Sequence, residues 1–355
     1  MPPRFPRYEK IVGFKGAKRK VLEEVIKSIN TRYKKEKKRQ GKTLTTLHDS
    51  IFAQERPYIS SGILPIDCCL CFGMGFPGGG IIEIYGPEAS LKTAIVENTL
   101  AESQRKGYYT GLFAAEYSLN YKRMKSVGLD ENLLLVMCSK TIEDFYKELR
   151  DVVHDIRAKD KRTPIVVGWD SIAATPTRTE LEHKAGLAAS DMGRMALQLS
   201  KFFRRLVRFL FLNNVCLLCV NQTRTNLAQM YGNKEVTTGG KALRFYAWVR
   251  CRVARIKSIK GPDDEEIGML CNFTTVKNKF APPFRKCKLA AYWKKGIDPV
   301  FTVWEFCIDK KIIERSEQVY KYKGHVLTKN SFAKFYSKYR QEVDAALRKA
   351  SLGKE

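Results

Sequence analysis

The sequence contains no apolar run of roughly 18 residues, the shortest stretch that crosses a bilayer as a helix, so no transmembrane segment and no membrane partner are expected. Histidine is scarce: His48, His154, His183 and His325 are scattered, with none at metal-ligand spacing. Ten cysteines in 355 residues are too few for a disulfide scaffold. Several lie in apolar runs, as reduced cytosolic thiols do. The single CxxC, Cys216-Leu-Leu-Cys219, sits inside the apolar run 215–220. The Cys68-Cys69-Leu-Cys71 run has no second ligand pair nearby, so zinc is not expected. Acidic residues are also short, 37 against 64 Lys and Arg, which leaves a formal charge of +27. Such an excess favours a polyanionic partner, nucleic acid ahead of an anionic membrane. With 44% hydrophobic and 11% aromatic residues, the composition is not that of a disordered chain. Residues 1–20 are basic but lack the apolar core of a secretory signal. Neither a repeat nor a long low-complexity tract is present.

The length suits two or three domains. Residues 1–47 hold 15 Lys and Arg against 4 Asp and Glu, a net +11. In this basic arm Val21, Leu22, Val25, Ile26, Ile29 and Tyr33 recur at helical spacing, and Gly41 is a stop signal. One helix with one apolar stripe must dock on its own core or on a neighbouring subunit. Residues 48–300 alternate apolar runs with helical stretches. Strands are expected at 81–85, 109–114, 133–138, 165–169 and 215–220, and helices at 141–158 and 191–213. This alternation implies an α/β fold, a mostly parallel sheet with helices on both faces. From 248 to 292 the strand-like runs crowd together, as added antiparallel strands would. In residues 301–355, Phe332, Phe335, Tyr336, Tyr339, Val343, Ala346 and Leu347 share one helical face. That pattern implies a small α+β C-terminal domain of about 50 residues.

The segment Gly86-Pro87-Glu88-Ala89-Ser90-Leu91-Lys92-Thr93 follows a strand pattern and opens a helical one. It departs from the P-loop pattern at one position. In that pattern backbone N–H groups cradle phosphates, the lysine reaches the β- and γ-phosphates, and the hydroxyl binds Mg²⁺. Leu91 stands where the pattern has glycine, and helical dihedrals there would accommodate it. Three strand ends carry polar groups to match. Asp170 ends the 165–170 run, as expected of the carboxylate that holds Mg²⁺ through water. Glu116 closes the 113–116 run, where a carboxylate beside the γ-phosphate orients or deprotonates the attacking water. Asn221-Gln222 closes the next, with Gln222 placed to sense the γ-phosphate. Each acid alone reads as a surface residue. Together, at the carboxyl ends of strands where open α/β sheets bind ligands, they indicate an ATPase.

Further stretches join these features: Ser60-Ser-Gly-Ile-Leu-Pro-Ile-Asp67, Met230-Tyr-Gly-Asn233, Thr237-Thr-Gly-Gly-Lys-Ala-Leu-Arg-Phe-Tyr246, Val276-Lys-Asn-Lys279 and Tyr320-Lys-Tyr-Lys-Gly324. With them the chain resembles the RecA-family DNA recombinases over roughly residues 18–347. The resemblance implies a RecA-like P-loop ATPase core, with ATP and Mg²⁺ as cofactors. It implies a homo-oligomeric helical filament on single-stranded DNA that searches a homologous duplex and exchanges strands. Single-strand-binding or mediator proteins would be further partners, in the cytoplasm or nucleoid of a bacterial host. Residue by residue, Lys92 and Thr93 would bind phosphate and Mg²⁺, with Asp170 on the metal side. Glu116 would be catalytic, and Gln222 would couple the γ-phosphate to a DNA loop. Lys277 and Lys279 would act across the subunit interface as arginine-finger equivalents. Arg244, Phe245 and Tyr246 would relay nucleotide state between subunits, and Val25, Ile26 and Ile29 would pack on the next one. Leu91 is a departure that some phage recombinases share, which points to a phage-borne member. Asn120 stands where bacterial members often carry Asp near the adenine, and Arg123 where they have a stacking Tyr. Ala254, Asn272 and Thr274 replace basic residues of the secondary DNA site, leaving Arg255, with Lys257 and Lys260 close by.

Two DNA loops are expected, at about 178–192 and 222–240. Met192 is a candidate wedge between bases, although a methionine there also suits the core. Ser200 and Arg204 match family DNA contacts. In the second loop Arg224, Thr237, Thr238, Gly239 and Gly240 suit phosphate contact without base specificity, and Tyr231 either stacks on a base or fills a pocket between subunits. The rival readings are a hydrolysis-poor paralogue acting as a structural or mediator subunit, a ring-forming helicase motor, and a basic chromatin-like protein. Deleting residues 1–16 should flatten the salt dependence of DNA binding. An unchanged slope in a salt titration would reject a DNA role for the arm.

Overall fold

The computed structural model describes residues 22–31, 45, 55–182, 189–225, 235–238, 240, 242–317 and 319–352. The chain forms two units, 1–55 and 56–355. In the first, residues 22–31 form helix α1, with Val25 exposed and Ile26 and Ile29 half-buried. Apart from Thr45, the rest of the expected basic arm lies outside the described residues.

In the second unit, β1 (Tyr58–Ile59) and β2 (Phe76–Pro77) pair antiparallel and flank α2 (Leu64–Cys71). The core follows as β3 (Ile81–Gly86), α3 (Lys92–Arg105), β4 (Tyr109–Ala114), α4 (Tyr121–Ser126), β5 (Leu134–Met137), α5 (Ile142–Lys159) and β6 (Ile165–Asp170). Next come α6 (Arg178–Glu182), α7 (Ala189–Leu212), β7 (Val215–Thr225), β8 (Glu235–Thr237) and α8 (Ala242–Tyr246). Strands β9 (Val249–Lys260), β10 (Glu266–Asn278), β11 (Lys286–Tyr292) and β12 (Gly296–Ile297) precede α9 (Pro299–Asp309). A small antiparallel sheet of β13 (Glu314–Ser316), β14 (Val319–Tyr322) and β15 (His325–Leu327) leads into α10 (Lys329–Ser351).

The main sheet runs β12-β11-β10-β9-β3-β7-β6-β4-β5, with β8 paired to β7. From β9 to β5 all neighbours are parallel. Beyond β9 they alternate. The crowded strands at 248–292 are thus antiparallel to one another, but β9 itself joins β3 in parallel. Alternate side chains feed two core layers, as the pleat requires. Ile82, Ile84, Val166, Leu218 and Val220 face the layer shared with α2, α3, α9 and α10. Ile81, Val167, Trp169, Leu217 and Cys219 face the layer shared with α5 and α7.

The second layer is aromatic at its centre. Trp169 is fully buried and packs against Phe145, Phe202, Phe113 and Phe203 at 4.9, 5.6, 6.0 and 6.3 Å. Such ring pairs add about 0.5–1.5 kcal/mol each beyond their buried area. The Trp169 indole N–H donates to Thr175 Oγ1 at 2.8 Å. The residue before Asp170 is therefore anchored in both apolar and polar terms.

The helices carry the expected local signals. Thr141 caps α5 by accepting from the Asp144 N–H, with Glu143 and Asp144 in the first turn, where they suit the helix dipole. Thr328 and Ser331 form a reciprocal cap on α10. Phe332, Tyr336, Val343 and Leu347 are buried as their spacing implies, although non-helical dihedrals at Tyr339 break the helix regularity. The boundary expected at 300/301 falls in the first turn of α9, and these C-terminal side chains share a core layer with β9–β11. The cysteines are free thiols, all buried except Cys138.

Asp67 on α2 is buried, where it accepts from Ser60 Oγ at 2.5 Å, Ser61 Oγ at 2.6 Å and Ser61 N–H at 2.8 Å. Burial pushes its carboxyl up to about 6, with the serine bonds pulling the other way. The folded state then keeps a proton that the unfolded chain releases from about pH 4 upward. The stability from this group is full below about pH 4 and lost as pH rises to about 6. Urea unfolding across that window should give a flatter pH slope for Asp67→Asn than for the parent chain. Identical slopes would refute the assignment.

Candidate nucleotide and DNA site

The loop between β3 and α3 is shaped by close packing at both ends. A Cβ at Gly86 would lie 1.9 Å from the Val253 carbonyl oxygen, so only glycine fits where β3 passes β9. At the other end Leu91 has φ 64° and ψ 12°, the left-handed region, and caps α3. Helical dihedrals expected there are not what the chain adopts. The left-handed form costs a non-glycine residue about 1–2 kcal/mol. Packing of the half-buried Leu91 side chain against the apolar core layer offsets part of that cost.

Lys92 is buried and donates to the Pro87 carbonyl and, at 3.1 Å, to Ser90 Oγ. Burial lowers its pKa, against the attraction of Asp170, Glu116 and Glu88. Thr93 Oγ1 donates to Asp170 Oδ2 at 2.6 Å. Burial pushes the Asp170 carboxyl up; the Thr93 bond opposes the rise and the nearby Glu116 adds to it. Ser171 Oγ donates to Glu116 Oε1 at 2.7 Å. Lys92, Thr93, Asp170 and Glu116 thus meet at the carboxyl ends of β3, β6 and β4. Ser171 belongs with them, and its place directly after Asp170 was the only available signal. Gln222 lies opposite Gly86 in the β3–β7 register. The Thr93 hydroxyl and the Asp170 carboxylate offer hard oxygen donors. That pair fits Mg²⁺, which takes one or two protein oxygens and completes its shell with phosphates and water.

Beneath Gln222 lies a charge network that the sequence pattern did not reveal. Glu83 is fully buried in β3 and pairs with Arg250 of β9. Asn221 is also buried, and its Nδ2 donates to Glu83 Oε1 and to the Thr238 carbonyl, both at 3.0 Å. The return of the second loop is therefore tied to β3. Among the described residues, the buried hydroxyls of Thr237 and Thr238, like Asn214 Oδ1, have no hydrogen-bond partner.

Asn120 accepts the Arg123 N–H as the cap of α4, and Arg123 itself forks onto buried Glu97. Lys277 Nζ donates to the carbonyls of Arg244 and Phe245 at 2.6 and 3.0 Å, which ties it to the end of α8. Lys279 and Phe245 are exposed. Arg204 on α7 is exposed and reaches the Tyr246 hydroxyl at 3.5 Å, with Ser200 one turn away. A Cβ at Gly240 would meet Ala196 of α7 at 3.0 Å, so the second loop returns against that helix. Arg255, the retained member of the secondary DNA site, pairs with Glu266, and nearby Lys260 pairs with Asp264, so both are engaged within their own hairpin, while Lys257 is exposed. Tyr231, Gly239 and the side chains of Met192 and Arg224 lie outside the described residues.

A mostly parallel sheet with the Gly86–Thr93 loop near its middle, and carboxylates at neighbouring strand ends, is the arrangement in which open α/β sheets bind ligands. A family model described as the RecA N-terminal domain matches residues 20–298. The chain is 34% identical over 269 residues to Protein RecA of Corynebacterium glutamicum (strain R), covering 76% of this chain and 69% of that protein. It is 34% identical over 328 residues to Protein RecA of Campylobacter hominis, covering 92% and 89%. With Protein RecA of Sulfurovum sp. (strain NBC37-1) the identity is 32% over 339 residues, covering 94% and 93%. The chain belongs to the RecA family and is a RecA-type recombination protein. Among the described residues no helix is long and apolar enough to cross a membrane.

Removing one partner of a buried ion pair strands the other. Glu83→Ala should therefore cost about 3–5 kcal/mol, read from the denaturant midpoint. A loss below about 1 kcal/mol, typical of exposed pairs, would show that Arg250 does not depend on Glu83.

Proposed function

We propose that this chain is a DNA-dependent ATPase that assembles as a helical filament on single-stranded DNA and exchanges strands with a homologous duplex. The observation that carries the reading is the pairing of Thr93 with Asp170 and of Ser171 with Glu116 around buried Lys92. On binding ATP, Lys92 exchanges the Pro87 carbonyl and Ser90 hydroxyl for phosphate oxygens. Gly86 to Thr93 cradle the phosphates through backbone N–H groups. Thr93, and Asp170 through water, would hold Mg²⁺, which when bound would neutralise charge on the phosphates. Glu116, held by Ser171, takes the proton of the attacking water. Gln222 passes the state of the γ-phosphate to the loop that returns through Thr237, Thr238 and Gly240.

The DNA path runs along the loops at about 178–192 and 222–240, with Met192, Ser200, Arg204, Arg224, Tyr231 and Gly239 among its contacts. The orphan hydroxyls of Thr237 and Thr238 support phosphate contact there. Exposed apolar residues support self-assembly: Leu133, Leu135 and Val136 on and beside the edge strand β5, and Leu22 and Val25 on α1. Lys277 and Lys279 act on the neighbour's ATP, with Lys279 already exposed and Arg244–Phe245 coupled to Lys277. The division into an arm (1–47), a core (48–300) and a C-terminal domain (301–355) belongs to this reading. So do a phage origin, suggested by Leu91, and the bacterial cytoplasm with its single-strand-binding and mediator proteins.

Hydrolysis should be stimulated by single-stranded DNA at low salt. Lys92→Ala should abolish it, and Glu116→Gln should lower kcat by about 10²–10⁴. Absence of hydrolysis with ATP-dependent DNA binding retained would replace this reading by that of a structural paralogue.

A further inference from the structure

The ion pair between Glu97 and Arg123 has no place in the chemistry above, yet it stands beside it. Thr93 and Glu97 are four residues apart on α3 and so share one face. Thr93 holds Asp170; Glu97, one turn on, is 2% exposed. Among the described residues its ionic partner is Arg123, which donates Nε and Nη2 to the two carboxylate oxygens at 2.8 and 2.7 Å. Two parallel charge-assisted bonds fix orientation as well as distance. Arg123 is also near enough to Asp170 for the two to attract, while Glu97 and Asp170 repel.

Arg123 lies on α4, at the far end of the segment that begins with Glu116. Between them, residues 117–120 have no regular structure and are exposed. Tyr117 has φ 51°, and its N–H bonds only back to the Ala114 carbonyl. This stretch does not hold itself. Helix α4 has six residues and one buried side chain, Met124. The fork between Arg123 and Glu97 ties the helix itself to α3, and just past its end Leu129 is buried and Asp130 exchanges two hydrogen bonds with Gln104 of α3. Ser171 sets the Glu116 carboxylate and the Ala115 N–H holds the backbone just before it to the Asp170 carbonyl at 2.7 Å, while the backbone just after it runs on to α4.

We infer that Glu97 and Arg123 are a positioning pair that braces the Glu116 segment against the helix carrying Lys92 and Thr93. The pair acts on hydrolysis through Glu116 and not by contact with the nucleotide. This inference rests on the ATPase reading.

The test measures DNA-dependent hydrolysis of the full chain, together with equilibrium binding of a fluorescent ATP analogue with Mg²⁺. Arg123→Gln should lower kcat by roughly tenfold or more, within the ~10²–10⁴ that a placed base supplies, with analogue affinity nearly unchanged. Arg123→Lys, which keeps the charge and loses the fork, should fall between. The loss should vanish when Arg123→Gln is made in a Glu116→Gln background, because both act through one group. Thermal melts check that the variants are folded. The double variant Glu97→Leu with Arg123→Leu keeps a packed contact without buried charge and should still lose kcat. A full additive loss in the Glu116→Gln background would overturn the inference, as would weakened analogue binding at unchanged kcat. Parent hydrolysis that falls with Glu116→Gln but not with Arg123→Gln removes this inference alone. A parent chain without DNA-dependent hydrolysis removes the ATPase reading and the inference with it.

Discussion

The constraint on which the site depends is the seating of β3 between two parallel neighbours. Its register against β7 and β9 is continuous, Ile81–Gly86 against Leu217–Gln222 on one side and Ile82–Tyr85 against Val249–Arg252 on the other. A one-residue slip would turn every β3 side chain to the opposite layer. It would also separate Glu83 from Arg250 and carry Gly86 away from the Val253 carbonyl. The loop 86–93 therefore inherits its position from a strand paired along both edges. The apolar layers above and below resist that slip, and the buried ion pair opposes it in a second, polar way.

The strand ends then divide the labour. β3 presents the loop, β6 presents Asp170 over the Trp169 cluster, and β4 presents Glu116. β7 carries Asn221 and Gln222, of which one is locked inward and the other is half-buried. Adjacent residues on a strand point to opposite faces. Asn221 accordingly binds the network while Gln222 stays open to the site. The same alternation makes Asp170 available while Trp169 is sealed below it. Anchoring and exposure are thus neighbouring events along one strand.

Much of this was legible in the sequence because period-two apolar runs and strand-end acids are local signals. Strands 109–114 and 165–170 and the loop 86–93 could be read directly. What escaped was non-local. That β9 would join β3 in parallel depends on a partner some 170 residues away, and nothing in the 248–260 run specifies direction. Helix α2 was missed because its Cys-rich, uniformly buried sequence has no polar face to show a period. Glu83 inside an apolar run was the visible half of an ion pair whose other half lay in β9. Arg123 read as a change at a base-binding position, and its bond to Glu97 required the two helices to be brought together. Leu91 in the left-handed region, finally, is set by the loop and not by leucine's own preference.

That last residue bears on how the loop responds to heat. An empty glycine-containing loop wanders through both halves of dihedral space and must be gathered when a ligand arrives. Leucine, with its Cβ and its packed side chain, has less freedom to lose. Ligand capture then carries a smaller unfavourable entropy. A cradle built this way holds its affinity more evenly across temperature than a glycine cradle of equal strength.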